Sequence, residues 1–173
     1  KDLSKLLGST LIHELVHIEQ REQPLKYELL YKQWNFVKVR KLLNMTTILE
    51  CNRYNPDGID INWVWYNKNN KKYYWIGCVF TTPLPKNLFN VKYVAYEVYP
   101  LNNISNNIDF RYGSMPYIEL SDFKDFNIYF NIQVNHYHPN EIVAQYFEEY
   151  FKCEINQKRN CKINSKAYQI FVK

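Results

Sequence analysis

No apolar run in this chain of 173 residues approaches 18 in length. A membrane-spanning helix needs about that many, so no span is expected. No N-terminal signal peptide is read in the chain either. Lysine and arginine outnumber the acidic residues by 22 to 17, a formal net charge of +5. The lysines are scattered beside Asn and Tyr and form no dense basic block, so nucleic-acid binding is not favoured. None of the four cysteines (Cys51, Cys78, Cys153 and Cys161) forms a C-x-x-C pair, which argues against a Cys-rich zinc knuckle. Cys153 and Cys161 could close a small loop in an exported protein, and reduced, buried thiols are the alternative. Glycine and alanine are scarce while Asn, Lys and Tyr abound, the bias of an AT-rich genome. No internal repeat and no linker interrupts the chain. Residues 1–173 fit one domain with a sizeable core. The first residue is Lys rather than Met, so we expect a processed chain or a fragment that lacks an upstream segment.

One stretch names a chemistry. His13-Glu14-Leu15-Val16-His17 is the H-E-x-x-H pattern, which by composition should arise by accident in roughly one such chain in two hundred. On a helix, residues four apart share a face, so both imidazoles can reach one metal ion. Glu14 then lies beside the ion and can take a proton from a water bound there. Zinc suits two His and one carboxylate, with a fourth position left for water. The flanks are helical in pattern. Leu7, Leu11, Leu15 and Ile18 share an apolar arc, with Ile12 at its edge, and are expected to face a core. His13 and His17 fall on another arc with Leu6, Thr10, Gln20 and Arg21, and Pro24 stops the helix. Two surface histidines on an amphipathic helix are the plain alternative.

Pro24 followed by Leu25, Leu29, Leu30 and Trp34 predicts a second, shorter helix. Phe36 to Leu43 is ambiguous between helix and strand. Thr46 to Cys51 reads as a strand and Asn52 to Gly58 as a turn. Alternation predicts a strand at Ile59–Trp65, Tyr73–Phe80 reads as another, and the two form a hairpin joined by a polar loop at Asn67–Lys72. Thr82–Lys86 is a proline-stiffened connection, Val91–Tyr99 another strand, and Leu101–Asn107 a loop. Phe126–Val134 reads as a last long strand. Pro139 opens a final helix with an apolar face of Ile142, Val143, Tyr146, Phe147, Tyr150 and Phe151. Glu141, Ala144, Gln145 and Glu148 lie on its other side. Tyr168–Val172 alternates like an edge strand. The fold class expected is α+β, with a mostly antiparallel sheet between helices.

A closed zinc site needs a third ligand. The extended motif H-E-x-x-H-x-x-G-x-x-H is excluded, because Gln20 and Gln23 stand where Gly and His are required. Glu141 is the first choice. Ala144, one turn on, lets another helix approach, and Gln145 could hold a ligand His through its outer nitrogen. The competing reading of Glu141 is a helix-start capping residue. Asp109, His136 and His138 are the other candidate ligands, and Tyr137 or one of these His could line the cleft and stabilise an oxyanion.

With His13-Glu14-x-x-His17 and Asn140-Glu141-Ile142-Val143-Ala144-Gln145, the chain resembles gluzincin-type zinc metallopeptidases. In these a Glu on a later helix completes the site. The second segment is similar to their Asn-Glu-x-x-x-Asp, with Gln145 where Asp is common. Asp109-Phe110-Arg111-Tyr112-Gly113 resembles the Asp-x-x-Tyr-Gly part of the aspzincin motif, without the preceding Gly-Thr. The Asn55-Pro56-Asp57 turn and the His138-Pro139-x-Glu141 helix start are similar to uncharacterised H-E-x-x-H proteins of large DNA viruses. The resemblance implies a zincin-like domain with an active-site helix and a late ligand-bearing helix packed with the sheet. It implies a Zn2+ cofactor held by His13, His17 and Glu141, and Glu14 as general base in hydrolysis of a peptide or protein substrate. The alternative is a non-catalytic structural or interaction domain, for example a viral structural component, that retains the zinc site.

Overall fold

The computed structural model describes residues 3–44, 48, 50–53, 63–82, 86–87, 90–102, 108–112, 116–131, 137–155 and 165–172. Among them are five α-helices: α1 (Leu3–Glu22), α2 (Pro24–Gln33), α3 (Lys124–Phe130), α4 (Pro139–Ile155) and α5 (Lys166–Phe171). Six strands are described: β1 (Phe36–Leu43), β2 (Trp63–Asn67), β3 (Lys72–Phe80), β4 (Val91–Asn102), β5 (Ile108–Tyr112) and β6 (Ile118–Glu119). The protein is thus α+β, with a sheet whose pairings are antiparallel but for one. The chain forms two compact units. Residues 1–34 and 128–173 make a helical unit, and residues 35–127 make a strand-rich one. No described helix is long and apolar enough to cross a membrane.

In the helical unit, α1 runs to Glu22 and α2 begins at Pro24. Proline costs nothing there, because the first-turn N–H has no helical partner to lose. α1 lies antiparallel to α4. Gly8 sits beside Phe151, where an added Cβ would come within 3.2 Å of the ring, while Gln20 at the far end reaches the Asn140 carbonyl. The core of this unit is aromatic. Trp34 meets Phe130 and Tyr146 edge-on and donates its indole N–H to the Ala167 carbonyl at 2.9 Å. The Tyr146 hydroxyl donates to the Phe130 carbonyl at 2.7 Å. Both polar tips are thereby satisfied in a buried setting.

The expected core face of α1 is turned the other way. Leu11, Leu15 and Ile18 are 59%, 47% and 44% exposed, whereas Ser9, His13, Val16, His17 and Gln20 are buried. The reason lies on α4. Its Glu141 is buried, and a buried carboxylate needs donors or cations against it. The histidine arc of α1 supplies them, so that arc faces inward. The apolar residues Ile142, Val143 and Tyr146 of α4 are buried, as the pattern predicts, but Tyr150 is exposed.

Five strands of the other unit form a meander whose ends meet. β1 pairs with β2, β2 with β3, β3 with β4 and β4 with β5, all antiparallel, and β5 pairs in parallel with β1. In an up-and-down meander the first and fifth strands point the same way, so closing the sheet makes that one pair parallel. The result is a small barrel, with β6 added beside β4. Its interior holds Val39, Val64, Trp75, Val79, Val94, Tyr96, Val98 and Phe110. On β4 these fall at every second position (Val94, Tyr96 and Val98) and on β3 at Trp75 and Val79 with Gly77 between, the period of a strand. A second cluster joins Trp65 and Tyr74 to Phe123 and Phe126. The β2–β3 hairpin turns through four residues, 68–71, after Asn67↔Lys72. Asn67 and Asn70 accept backbone N–H groups of Asn69 and Lys72 with their side chains.

Several expected elements differ. Phe36–Leu43 resolves as a strand, with Asn35 in the left-handed region (φ 66°) ending the helical stretch before it. Phe126 to Phe130 is helical rather than extended. Phe123, Phe126 and Phe130 are buried while Ile128 is 73% exposed, a spacing of three and four that fits a helix. The helix stops at Asn131, also left-handed. Tyr168–Phe171 belongs to α5 rather than to an edge strand, because Ser165 accepts the Tyr168 N–H at 3.0 Å and caps a helix. Ile48 and Glu50 are helical, where a strand was expected, and Leu101 and Asn102 extend β4 into the predicted loop. The expected turn at Asn55–Gly58, the strand start at Ile59–Ile61, the connection at Pro83–Pro85 and the segment Ile132–Val134 lie outside the described residues. Cys51 and Cys78 are free thiols and Cys153 is disulfide-bonded. Cys161 lies outside the described residues.

Candidate metal centre

Two facing helices build the site, both in the helical unit. α1 carries His13 and His17 one turn apart, and their rings meet edge-on with centroids 4.9 Å apart. α4 carries Glu141 in its first turn. Nε2 of His13 lies 3.4 Å from one Glu141 oxygen, and Nε2 of His17 lies 3.3 Å from the other. Among the described residues these three form a buried group whose ligand atoms lie within 4.8 Å of one another. Such a group can hold a metal ion. His17 and Glu141 are only 2% and 3% exposed and His13 8%, so the plain reading of two surface histidines is excluded.

The electrostatics follow from burial and proximity. Burial by itself would raise the Glu141 pKa, but hydrogen bonds and charge from His13 and His17 outweigh it and hold the carboxyl at about 2. Burial likewise works against a charge on His13, yet the Glu141 carboxylate more than offsets this and the imidazole pKa is raised. Glu141 is therefore a carboxylate at neutral pH, the form in which it binds a cation.

The outer nitrogens are also accounted for. His17 Nδ1 lies 2.8 Å from Gln20 Oε1, and the Gln20 amide donates onward to the Asn140 carbonyl at 3.0 Å. That second bond identifies the Gln20 oxygen as the acceptor, so Nδ1 carries a proton and Nε2 is the nitrogen turned to Glu141. His13 Nδ1 lies 3.3 Å from Glu148 Oε2 without a formed hydrogen bond. Lys152 Nζ approaches the other Glu148 oxygen at 2.8 Å.

Of the residues singled out in the sequence, His13, His17 and Glu141 come together. Glu14 is exposed on α1, next to His13. Gln145 does not hold a ligand His. Its amide donates to Glu149 at 3.0 Å. His138 caps α4: its carbonyl accepts the Ile142 N–H at 3.0 Å and its Nδ1 the Asn140 N–H at 3.3 Å. Asp109 lies on β5 of the barrel unit. Tyr137 immediately precedes His138, and His136 lies outside the described residues. Glu148 is the residue that sequence reasoning missed in this role. The signal was its spacing: seven residues after Glu141 restores nearly the same face of a helix.

No protein-family model matches the chain, and neither a curated protein nor a solved structure matches it.

Proposed function

We propose that the protein is a zinc-dependent metallopeptidase, gluzincin-like in its ligand set, with Glu14 as general base. The observation that carries this reading is the convergence of His13, His17 and Glu141 from α1 and α4. The donor set, two imidazoles and one carboxylate, is one that suits catalytic zinc. The spacings fit as well. The two His–Glu141 separations of 3.4 and 3.3 Å run to the two carboxylate oxygens, and one ligand atom from each of the three residues lies within 4.8 Å of the others. This is compact enough for one ion to be shared by all three.

Zinc supplies an acidified water and polarises a peptide carbonyl when it is bound. The residues do the rest. His13, His17 and Glu141 hold and orient the ion, and Gln20 keeps His17 in the ligating tautomer. Glu14 is exposed and so open to substrate. It accepts the proton of the attacking water and returns it to the departing amine. A non-catalytic interaction domain that keeps the zinc is the second reading, favoured by the exposed stripe of Leu11, Leu15 and Ile18 on the same helix.

The test is elemental analysis of untagged protein reconstituted with zinc, beside His13→Ala, Glu141→Ala and Glu14→Gln, followed by a peptidase screen. The expected outcome is near-stoichiometric zinc in the wild type and in Glu14→Gln, loss of zinc in the two ligand variants, and hydrolysis by the wild type alone. Hydrolysis retained in Glu14→Gln would overturn the mechanism. Zinc without hydrolysis in the wild type would move the conclusion to the interaction domain.

A further inference from the structure

The geometry points to Glu148 as the positioning residue of the metal site. We propose that it fixes the His13 imidazole with Nδ1 protonated and Nε2 turned to the ion, and that Lys152 holds Glu148 in place to do so. This rests on the metal-site reading above and extends it to two residues that no ligand motif names.

Glu141 and Glu148 are seven residues apart on α4, two turns, or ~10 Å along the axis and within ~20° of the same face. The His13 ring lies between them. Its Nε2 is 3.4 Å from Glu141 and its Nδ1 is 3.3 Å from Glu148. A neutral imidazole has one nitrogen with a lone pair and one with a proton, and the proton's acceptor decides which is which. Glu141 is shared by both imidazoles and so is the ligand. Glu148 meets His13 from the opposite side and so is the acceptor. His13 Nδ1 is buried with no hydrogen bond formed, and Glu148 Oε2 is the carboxylate oxygen that stands 3.3 Å from it.

Glu148 is itself restrained. Lys152, one turn on, holds Glu148 Oε1 at 2.8 Å and Glu149 Oε1 at 3.0 Å. One Glu148 oxygen is thereby committed to lysine and the other is left for His13. The Glu148 side chain is 15% exposed, so this contact is poorly screened by water. His17 shows the same arrangement already closed, with Gln20 as its acceptor at 2.8 Å. Both ligand imidazoles thus have an oxygen aimed at the outer nitrogen. One comes from the next turn of α1 and one from across the helix pair.

The experiment measures zinc affinity by competition titration, and the ligand-field absorption of the cobalt-substituted protein, for the wild type, Glu148→Ala, Glu148→Gln and Lys152→Met. Circular dichroism of the zinc-free proteins checks folding. Glu148→Ala is expected to weaken zinc binding by ~10–100-fold and to shift the cobalt bands. Glu148→Gln keeps an oxygen acceptor at the same reach and loses less. Lys152→Met moves affinity in the same direction by a smaller factor. A merely structural role would lower stability and leave the cobalt spectrum unchanged. Wild-type affinity and spectrum in a folded Glu148→Ala overturn the proposal. If Glu148→Ala does not fold, unchanged affinity and spectrum in both Glu148→Gln and Lys152→Met overturn it. A wild-type chain that takes up no zinc overturns the metal-site reading itself, an outcome read before any variant is compared.

Discussion

A buried carboxylate selects its neighbours, and Glu141 shows this at the scale of single residues. Its two oxygens face two imidazoles, and hydrogen bonds and charge from them hold its pKa low despite burial. Residues that look equivalent in the sequence are sorted by their surroundings. His138, three residues before Glu141, closes the end of a helix instead of joining the cluster. Gly77 is decided in the same way, by what stands next to it. An added Cβ there would lie 2.2 Å from the Trp75 indole, two residues back on the same inward face of the barrel. Gly77→Ala must push a buried ring out of its place, and overpacking of this kind destabilises by about 1–3 kcal/mol. The urea midpoint of Gly77→Ala should fall accordingly. An unchanged midpoint would mean that the indole has room to retreat.

At the scale of elements, two patterns compete and packing chooses between them. α1 offers an apolar arc and a histidine arc, and the helix buries the second because α4 presents acids to it. The segment around Phe126 alternates like a strand and also repeats like a helix. The helical period wins because Phe123, Phe126 and Phe130 all find buried aromatic partners. α5 is short, six residues, and so depends on its cap. The Ser165 hydroxyl accepts the Tyr168 N–H and also lies 3.1 Å from the Tyr146 hydroxyl. Ser165→Ala should lower stability by about 1–2 kcal/mol, measured by chemical denaturation. Ser165→Thr keeps the oxygen and should recover most of it.

At the scale of the molecule, the units are stabilised by different means. The barrel joins its own sheet edges and fills the inside with valine and aromatic residues. The helical unit packs edge-on aromatic rings between helices, and its buried tyrosines give it an alkaline limit. Burial raises the pKa of Tyr27, Tyr31 and Tyr146 well above the usual value. A tyrosine whose folded pKa is raised contributes stability that is complete below the unfolded value, about 10, and is lost as pH rises from there through the folded values. Helical circular dichroism should therefore fall together with the appearance of tyrosinate absorbance above about pH 10. Early ionisation of the full tyrosine complement with helix signal intact would show that these hydroxyls are not protected.

The sequence by itself determined whatever is local. Four-residue spacing put His13 and His17 on one face, Pro24 and Pro139 marked helix starts, and runs of apolar and aromatic residues marked β3 and β4. These follow from helix and strand periods, which act within a few residues. The choice of Glu141 was partly legible too, since it stands on a helix beside a small residue, Ala144. Only the tertiary structure decided which face of α1 is buried and which acid reaches the outer nitrogen of His13. It also decided that β1 and β5 close a barrel. Each of these depends on partners far apart in the chain: His13 and Glu148, Gln20 and Asn140, Val39 and Ile108. The burial that ranks such contacts exists only once both helices, or both sheet edges, have met.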